Sequence, residues 1–118
     1  MTGLGAHNRC LGRTGETRAA EWYAAQGYEV VARNWRCRDG ELDLIVRRGA
    51  TLVFCEVKTR GSEAFGVPAE AVTPVKQARV RRLAARWMRE EESRPARVVR
   101  FDVASVLRGR LDVIEGAF

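Results

Sequence analysis

The chain has 118 residues, which is one domain by length and enough for a sizeable core. At 46% hydrophobic and 31% charged it reads as a globular, cytoplasmic protein, and no apolar run is long enough for a membrane span or a signal-peptide core, the best being Leu52 to Cys55. The net charge of +6 favours a polyanionic partner, nucleic acid first.

Residues 1–11 show no hydrophobic period and read as a flexible N-terminal segment ahead of a single domain at 12–118. The cysteines, Cys10, Cys37 and Cys55, are widely spaced and odd in number. With one histidine, His7, in the N-terminal segment, they do not make a zinc pattern. Gly12 to Gln26 is the first predicted helix, with Thr14 as N-cap and Gly27 as its stop. Ala19, Trp22, Tyr23 and Gln26 fall at helical spacing and are expected to face the core. Glu16 falls in the first turn, where the helix dipole favours a carboxylate. Tyr28 to Trp35 is β-branched and aromatic and predicts the first strand. Arg36 to Gly40 is a polar turn leading into the next one.

The centre of the chain is Gly40 to Arg60, a predicted hairpin. Glu41 to Val46 runs up, Arg47 to Ala50 turns, and Thr51 to Arg60 runs back. Alternation puts Leu42, Leu44 and Val46 on one face and Glu41, Asp43 and Ile45 on the other. On the returning strand Val53, Cys55 and Val57 share a face, opposite Leu52, Phe54, Glu56 and Lys58. If Gly49-Ala50 is a two-residue loop with glycine first, Arg48 pairs with Thr51. Asp43 then lies opposite Glu56 and Glu41 opposite Lys58. Two unit charges about 5 Å apart repel by roughly 3 kcal/mol at an effective dielectric of about 20, which a hard divalent cation on carboxylate oxygens would remove. Asp43, Glu56 and Lys58 therefore read as a metal site with a lysine beside it, or as an exposed strand face with Glu41–Lys58 as a surface pair.

Gly61 to Val72 is a loop that either closes over this site or only connects. Thr73 to Glu92 is the longest predicted helix, with Thr73 as N-cap and Pro74 in the first position. Val80, Leu83, Ala84 and Trp87 form its core stripe. Arg79, Arg82, Arg86 and Arg89 occupy a band on the far side, either a solvated face or one that tracks phosphates. From Thr73 to Arg94 seven basic residues face three acidic ones, a net +4, so the basic excess is concentrated on this element. Lys76 lies in the first turn, on the core side. Arg97 to Leu107 and Arg110 to Ile114 are the last strands, and Asp102 is expected to partner an arginine. A strand, crossover helix and strand make a parallel unit. The order predicts an α/β domain, a mixed sheet with helices packed on it.

The blocks GRTGE at 12–16, RNWRCRDGELDLI at 33–45, VFCEVKTR at 53–60, FGVPAEAVTPVKQ at 65–77 and RFDV at 100–103 resemble the YraN-like family of bacterial proteins. The resemblance runs from Gly12 to about Val106. That family is in turn similar to restriction-endonuclease-like nucleases, particularly archaeal Holliday junction resolvases. It implies a restriction-endonuclease-like mixed β-sheet flanked by helices, with an α-β-β-β-α-β core. The shared motif is an early helical Glu, an Asp and a Glu-x-Lys, which fall here on Glu16, Asp43, Glu56 and Lys58. The resemblance implies Mg²⁺ or Mn²⁺ held by Asp43, Glu56 and the Val57 carbonyl, with Glu16 binding a second metal or orienting a water. It implies Lys58 beside the attacking water, Lys76 and more weakly Gln77 on phosphate, DNA as substrate, and a homodimer if the DNA is a symmetric junction. Two other readings stay open: a non-catalytic nucleic-acid-binding protein on this scaffold, and a protein-partner surface on the arginine helix.

Overall fold

The computed structural model describes residues 4–60, 72–91 and 94–118. In chain order these are α1 (Leu4–Ala25), β1 (Glu29–Cys37), β2 (Gly40–Arg48), β3 (Thr51–Arg60), α2 (Pro74–Glu90), β4 (Val98–Leu107) and β5 (Arg110–Ile114). The strands form one five-stranded sheet in the order β1-β2-β3-β4-β5. Only the β3–β4 pair, joined through α2, is parallel. The mixed α/β sheet flanked by helices is thus as the sequence predicts, and it is compatible with a restriction-endonuclease-like fold.

The helices hold two apolar clusters. Ala19, Ala20 and Tyr23 of α1 pack on Leu44, Val46, Val53, Cys55 and Ala104. Val80, Leu83, Ala84 and Trp87 of α2 pack on Leu42, Ile45, Leu52, Phe54 and Phe101. In α2 the Thr73 hydroxyl accepts from the Lys76 N–H, and Pro74 fills the first turn, so the predicted start is the observed one. Of the predicted loop, Gly61 to Val72, residues 61–71 lie outside the described residues, and Val72 is buried. No helix among the described residues is long and apolar enough to cross a membrane.

Five expectations need correcting. Both predicted turns are shorter than expected, since Arg36 and Cys37 belong to β1 and Gly40, Arg47 and Arg48 to β2. Helix α1 starts at Leu4, not Gly12, so Thr14 is not its cap and Glu16 is not in its first turn. The stretch Leu4–Leu11 contains glycine but no proline, and glycine weakens a helix by about 1 kcal/mol without breaking it. Gln26 is exposed beyond the helix end, where its N–H bonds the Tyr23 carbonyl at 2.9 Å. Leu42 does not share a face with Leu44 and Val46, but joins Ile45 in the α2-side cluster.

The slip at Leu42 has a physical cause. Arg33 pairs with Leu44 and Trp35 with Leu42, which leaves Asn34 facing Asp43. Asn34 has φ +54°, a left-handed conformation that turns the chain out of the pleat. On β1, Ala32 and Trp35 both face α2 although three residues apart, and on β2 the same is true of Ile45 and Leu42. Both strands lose their alternation at one level, and Asp43 sits there.

Candidate functional site

The turn at Gly49-Ala50 sets the site's register. Arg48 pairs with Thr51, as the two-residue loop requires, and the ladder runs to Leu44↔Cys55. It ends one step short of the predicted Asp43↔Glu56 and Glu41↔Lys58 pairs. Beyond Cys55 the Val57 N–H donates to Asp43 Oδ2 at 2.9 Å, so a side chain takes the place of a strand carbonyl. The two strands diverge there, while β3 stays paired to β4 as far as Arg60↔Leu107. Asp43 fills the opened gap. In a strand the N–H and C=O of one residue point to the same side, so the Val57 carbonyl faces the gap too.

Helix α1 closes the site from one face. Gly15 is buried, and a Cβ there would collide with Thr59 Oγ1, so α1 lies close on β3 with glycine at the contact and any side chain would have to turn the Thr59 hydroxyl aside. The next residue is Glu16. Its Oε1 accepts from Asn34 Nδ2 at 2.9 Å, and Thr17 accepts from Arg33 at 3.1 Å. Asn34 therefore both bends the sheet opposite Asp43 and anchors the nearest helical carboxylate. Sequence reading gave it no role; its visible signal is an asparagine inside a strand, a residue that strands disfavour but left-handed positions accept. From the other face, the first turn of α2 brings Lys76 towards Glu56 and Lys58.

The electrostatics follow from burial and like-charge crowding. Glu56 is 7% exposed, and its carboxyl is pushed up to about 7, chiefly by desolvation and then by Asp43, against the pull of Lys58 and Lys76. Asp43 is raised for the same first reason, opposed by the Val57 N–H and reinforced by Glu16 and Glu41. The Lys58 amine is lowered by burial and by Lys76, with Glu56 and Asp43 acting the other way. Two carboxyls that resist ionising stand beside an amine that resists protonation.

The predicted residues divide as follows. Asp43, Glu56, Lys58 and Lys76 come together, with Glu16 close enough to act on Asp43. Glu41 pairs with Arg36 at 3.7 Å and not with Lys58. Gln77 has its Nε2 engaged, donating to the Val72 carbonyl at 3.0 Å. Arg79, Arg82, Arg86 and Arg89 line a separate concavity along α2. Asp102 is fully buried and accepts from Arg100 at 2.9 and 3.0 Å, from the Tyr23 hydroxyl at 2.5 Å and from the Gly116 N–H at 2.9 Å. It is the arginine partner expected of it.

Among the described residues no three His, Cys, Asp or Glu side chains form a group that would hold a metal by themselves. The donor set still suits a hard cation. Asp43 and Glu56 are crowded carboxylates whose charge is opposed by desolvation and by neighbouring acids, Asp43 acting on Glu56 and Glu16 and Glu41 on Asp43, and the Val57 carbonyl faces the same gap.

A mixed sheet with an acid pair and a lysine where two neighbouring strands part defines the class, an α/β domain compatible with restriction-endonuclease-like architecture. The chain belongs to UPF0102, the YraN-like family: the family model described as "Uncharacterised protein family UPF0102" matches residues 15–106. It is 62% identical over 100 residues to a UPF0102 protein of Beutenbergia cavernae, covering 85% of this chain and 84% of that one. It is 54% identical over 113 residues to a UPF0102 protein of Frankia alni, covering 92% and 93%.

Proposed function

We propose that the protein is a metal-dependent endonuclease that hydrolyses DNA phosphodiester bonds, on branched or otherwise structured DNA. The observation that carries this reading is the convergence of Asp43, Glu56 and Lys58 where β2 and β3 part, each held away from its ordinary ionisation. Perturbed groups of opposite kind in one gap are what acid–base chemistry at neutral pH requires.

Asp43 and Glu56, with the Val57 carbonyl and waters, would hold Mg²⁺ or Mn²⁺. That ion, when bound, polarises the phosphate and acidifies its water. The chain's own residues do the rest. Lys58, with its lowered proton affinity, takes a proton from the attacking water or, protonated, steadies charge building on the phosphate. Lys76 sits at the N-terminal turn of α2, where its charge and the positive end of the helix dipole suit a phosphate oxygen. Glu16, anchored by Asn34, orients a water towards Asp43.

The test is cleavage of four-way junction and duplex DNA with Mg²⁺ or Mn²⁺. Activity should vanish in Asp43→Ala and Glu56→Ala while circular dichroism stays native. Equal cleavage by variant and parent would point to a contaminating nuclease and remove the proposal. A second reading, nucleic-acid binding without turnover, draws on Glu16 being held by Asn34 and on the lack of a three-acid group among the described residues. It expects salt-dependent binding and no product on any substrate.

A further inference from the structure

The second charged feature of the molecule lies outside the acid pair. A concavity of about 490 Å³ runs along α2, lined by Asp39, Arg79, Arg82, Leu83, Arg86 and Arg89 among others. Its other wall is the turn between β1 and β2, where a shallower hollow of about 400 Å³ is lined by Arg36, Arg38, Asp39 and Glu41. Asp39 belongs to both. The turn can lie against the helix because Gly40 has φ +149° and a Cβ there would come within 3.1 Å of Leu83 Cδ1. Two elements far apart in sequence thus make one basic trough.

The charges within it are unevenly used. Arg86 is shared by two acids, Asp39 Oδ2 at 3.1 Å and Glu90 Oε2 at 2.9 Å. Arg79, Arg82 and Arg89 form no ion pair with a described residue. Asp39 is thus the one acid that the opposite wall places among these arginines. A carboxylate on guanidinium donors occupies the position that a phosphate oxygen would take, since both accept the same hydrogen bonds. The side chain of Asp39 is 69% exposed, so nothing but this pair holds it there.

We propose that this trough is a phosphate-backbone site for nucleic acid, two-walled, in which Asp39 stands in for a phosphate and is displaced on binding. It rests on the nucleic-acid half of the proposed function and not on turnover. Nucleic acid is favoured over an acidic peptide or a lipid surface by continuity. The trough begins one helical turn beyond Lys76, and its β wall leads in three residues from Gly40 to Asp43. From Arg79 to Arg89 the helix rises about 15 Å, the axial length of about four phosphates on one duplex strand. A strand crossing the acid pair would therefore continue along the arginines.

The experiment is fluorescence anisotropy of a labelled DNA duplex across a salt series, in EDTA, so that cleavage plays no part. Arg82→Gln with Arg89→Gln should weaken binding at least tenfold and lower the salt slope by about two. Arg38→Gln, on the other wall, should lower it by about one. Asp39→Asn should tighten binding by roughly two- to fivefold, the scale of a lost exposed ion pair. Arg97→Gln with Arg110→Gln, two charges outside the trough, is the charge-matched control and should change little. The proposal is overturned if the α2 double variant behaves like the control, or if Asp39→Asn binds no tighter than Glu21→Gln. It is equally overturned if the protein binds phosphatidylglycerol vesicles and not DNA. Binding is read here in EDTA on the α2 and turn variants and cleavage on Asp43→Ala and Glu56→Ala, so the two proposals fail separately.

Discussion

Glu56→Gln should make the protein more stable and the pH should show why. Glu56 is buried, and its folded carboxyl titrates at about 7 against 4.5 for an unperturbed one. Between those values the folded protein keeps a proton that the unfolded chain has released. Stability therefore falls as pH rises through that window and stays lower above it. The gap is worth about 3 kcal/mol, already net of the attraction from Lys58 and Lys76. Glutamine has the same shape and no charge to desolvate. In urea titrations with EDTA, Glu56→Gln should exceed the parent by about 2–3 kcal/mol at pH 8 and match it at pH 4. Manganese at 100 times its dissociation constant should restore about 2.7 kcal/mol to the parent at pH 8 and leave the variant unmoved. Equal midpoints at pH 8, or a gain that persists at pH 4, would show that burial beside Asp43 does not burden the Glu56 carboxylate.

Two further outcomes bear on the supports around the site. Asp102→Asn should cost about 3 kcal/mol in the same titration, because it strips the charge from a fully buried acceptor of Arg100, Tyr23 and Gly116; a loss below about 1 kcal/mol would mean the network does not brace the sheet. At Asn34, alanine should destabilise by about 1 kcal/mol through its unfavourable positive φ while glycine stays near the parent, yet both should lose cleavage activity together because both release Glu16. Activity that follows stability, with glycine active, would reduce Asn34 to a backbone role.

Much of the fold was legible because its signals are local. The Gly49-Ala50 turn fixes a register by counting, and Thr73-Pro74 announces a helix start within two residues. What was not legible depends on distant partners or on the two strands acting jointly. Strict alternation places Leu42 wrongly because it assumes an unbroken pleat, and the break comes from a left-handed residue on the neighbouring strand. Arg47 reads as a turn residue, yet it is 5% exposed and donates to the Arg94 carbonyl at 2.6 Å, 47 positions away. Tyr23 and Asp102 meet across 79. The acids and lysine of the site were visible as a motif; their neighbours, Asn34 and Gly15, act through conformation and close approach, which residue type alone does not announce.

The two buried acid sites of the sheet separate structure from function on energetic grounds. Asp102 is surrounded by donors: a guanidinium, a phenol and a backbone amide. Such a carboxylate stabilises the fold and needs no further partner. Asp43 and Glu56 are the opposite case. Burial and neighbouring carboxylates outweigh the amide and amines that favour their charge. A burden of about 3 kcal/mol is a large fraction of the 5–15 kcal/mol that holds a typical domain together. A single change to glutamine would relieve it, so packing alone gives no reason to keep Glu56. The arrangement makes physical sense where a positive charge arrives from outside and turns the repulsion into binding energy, with Lys58 and Lys76 placed to meet the anion that comes with it.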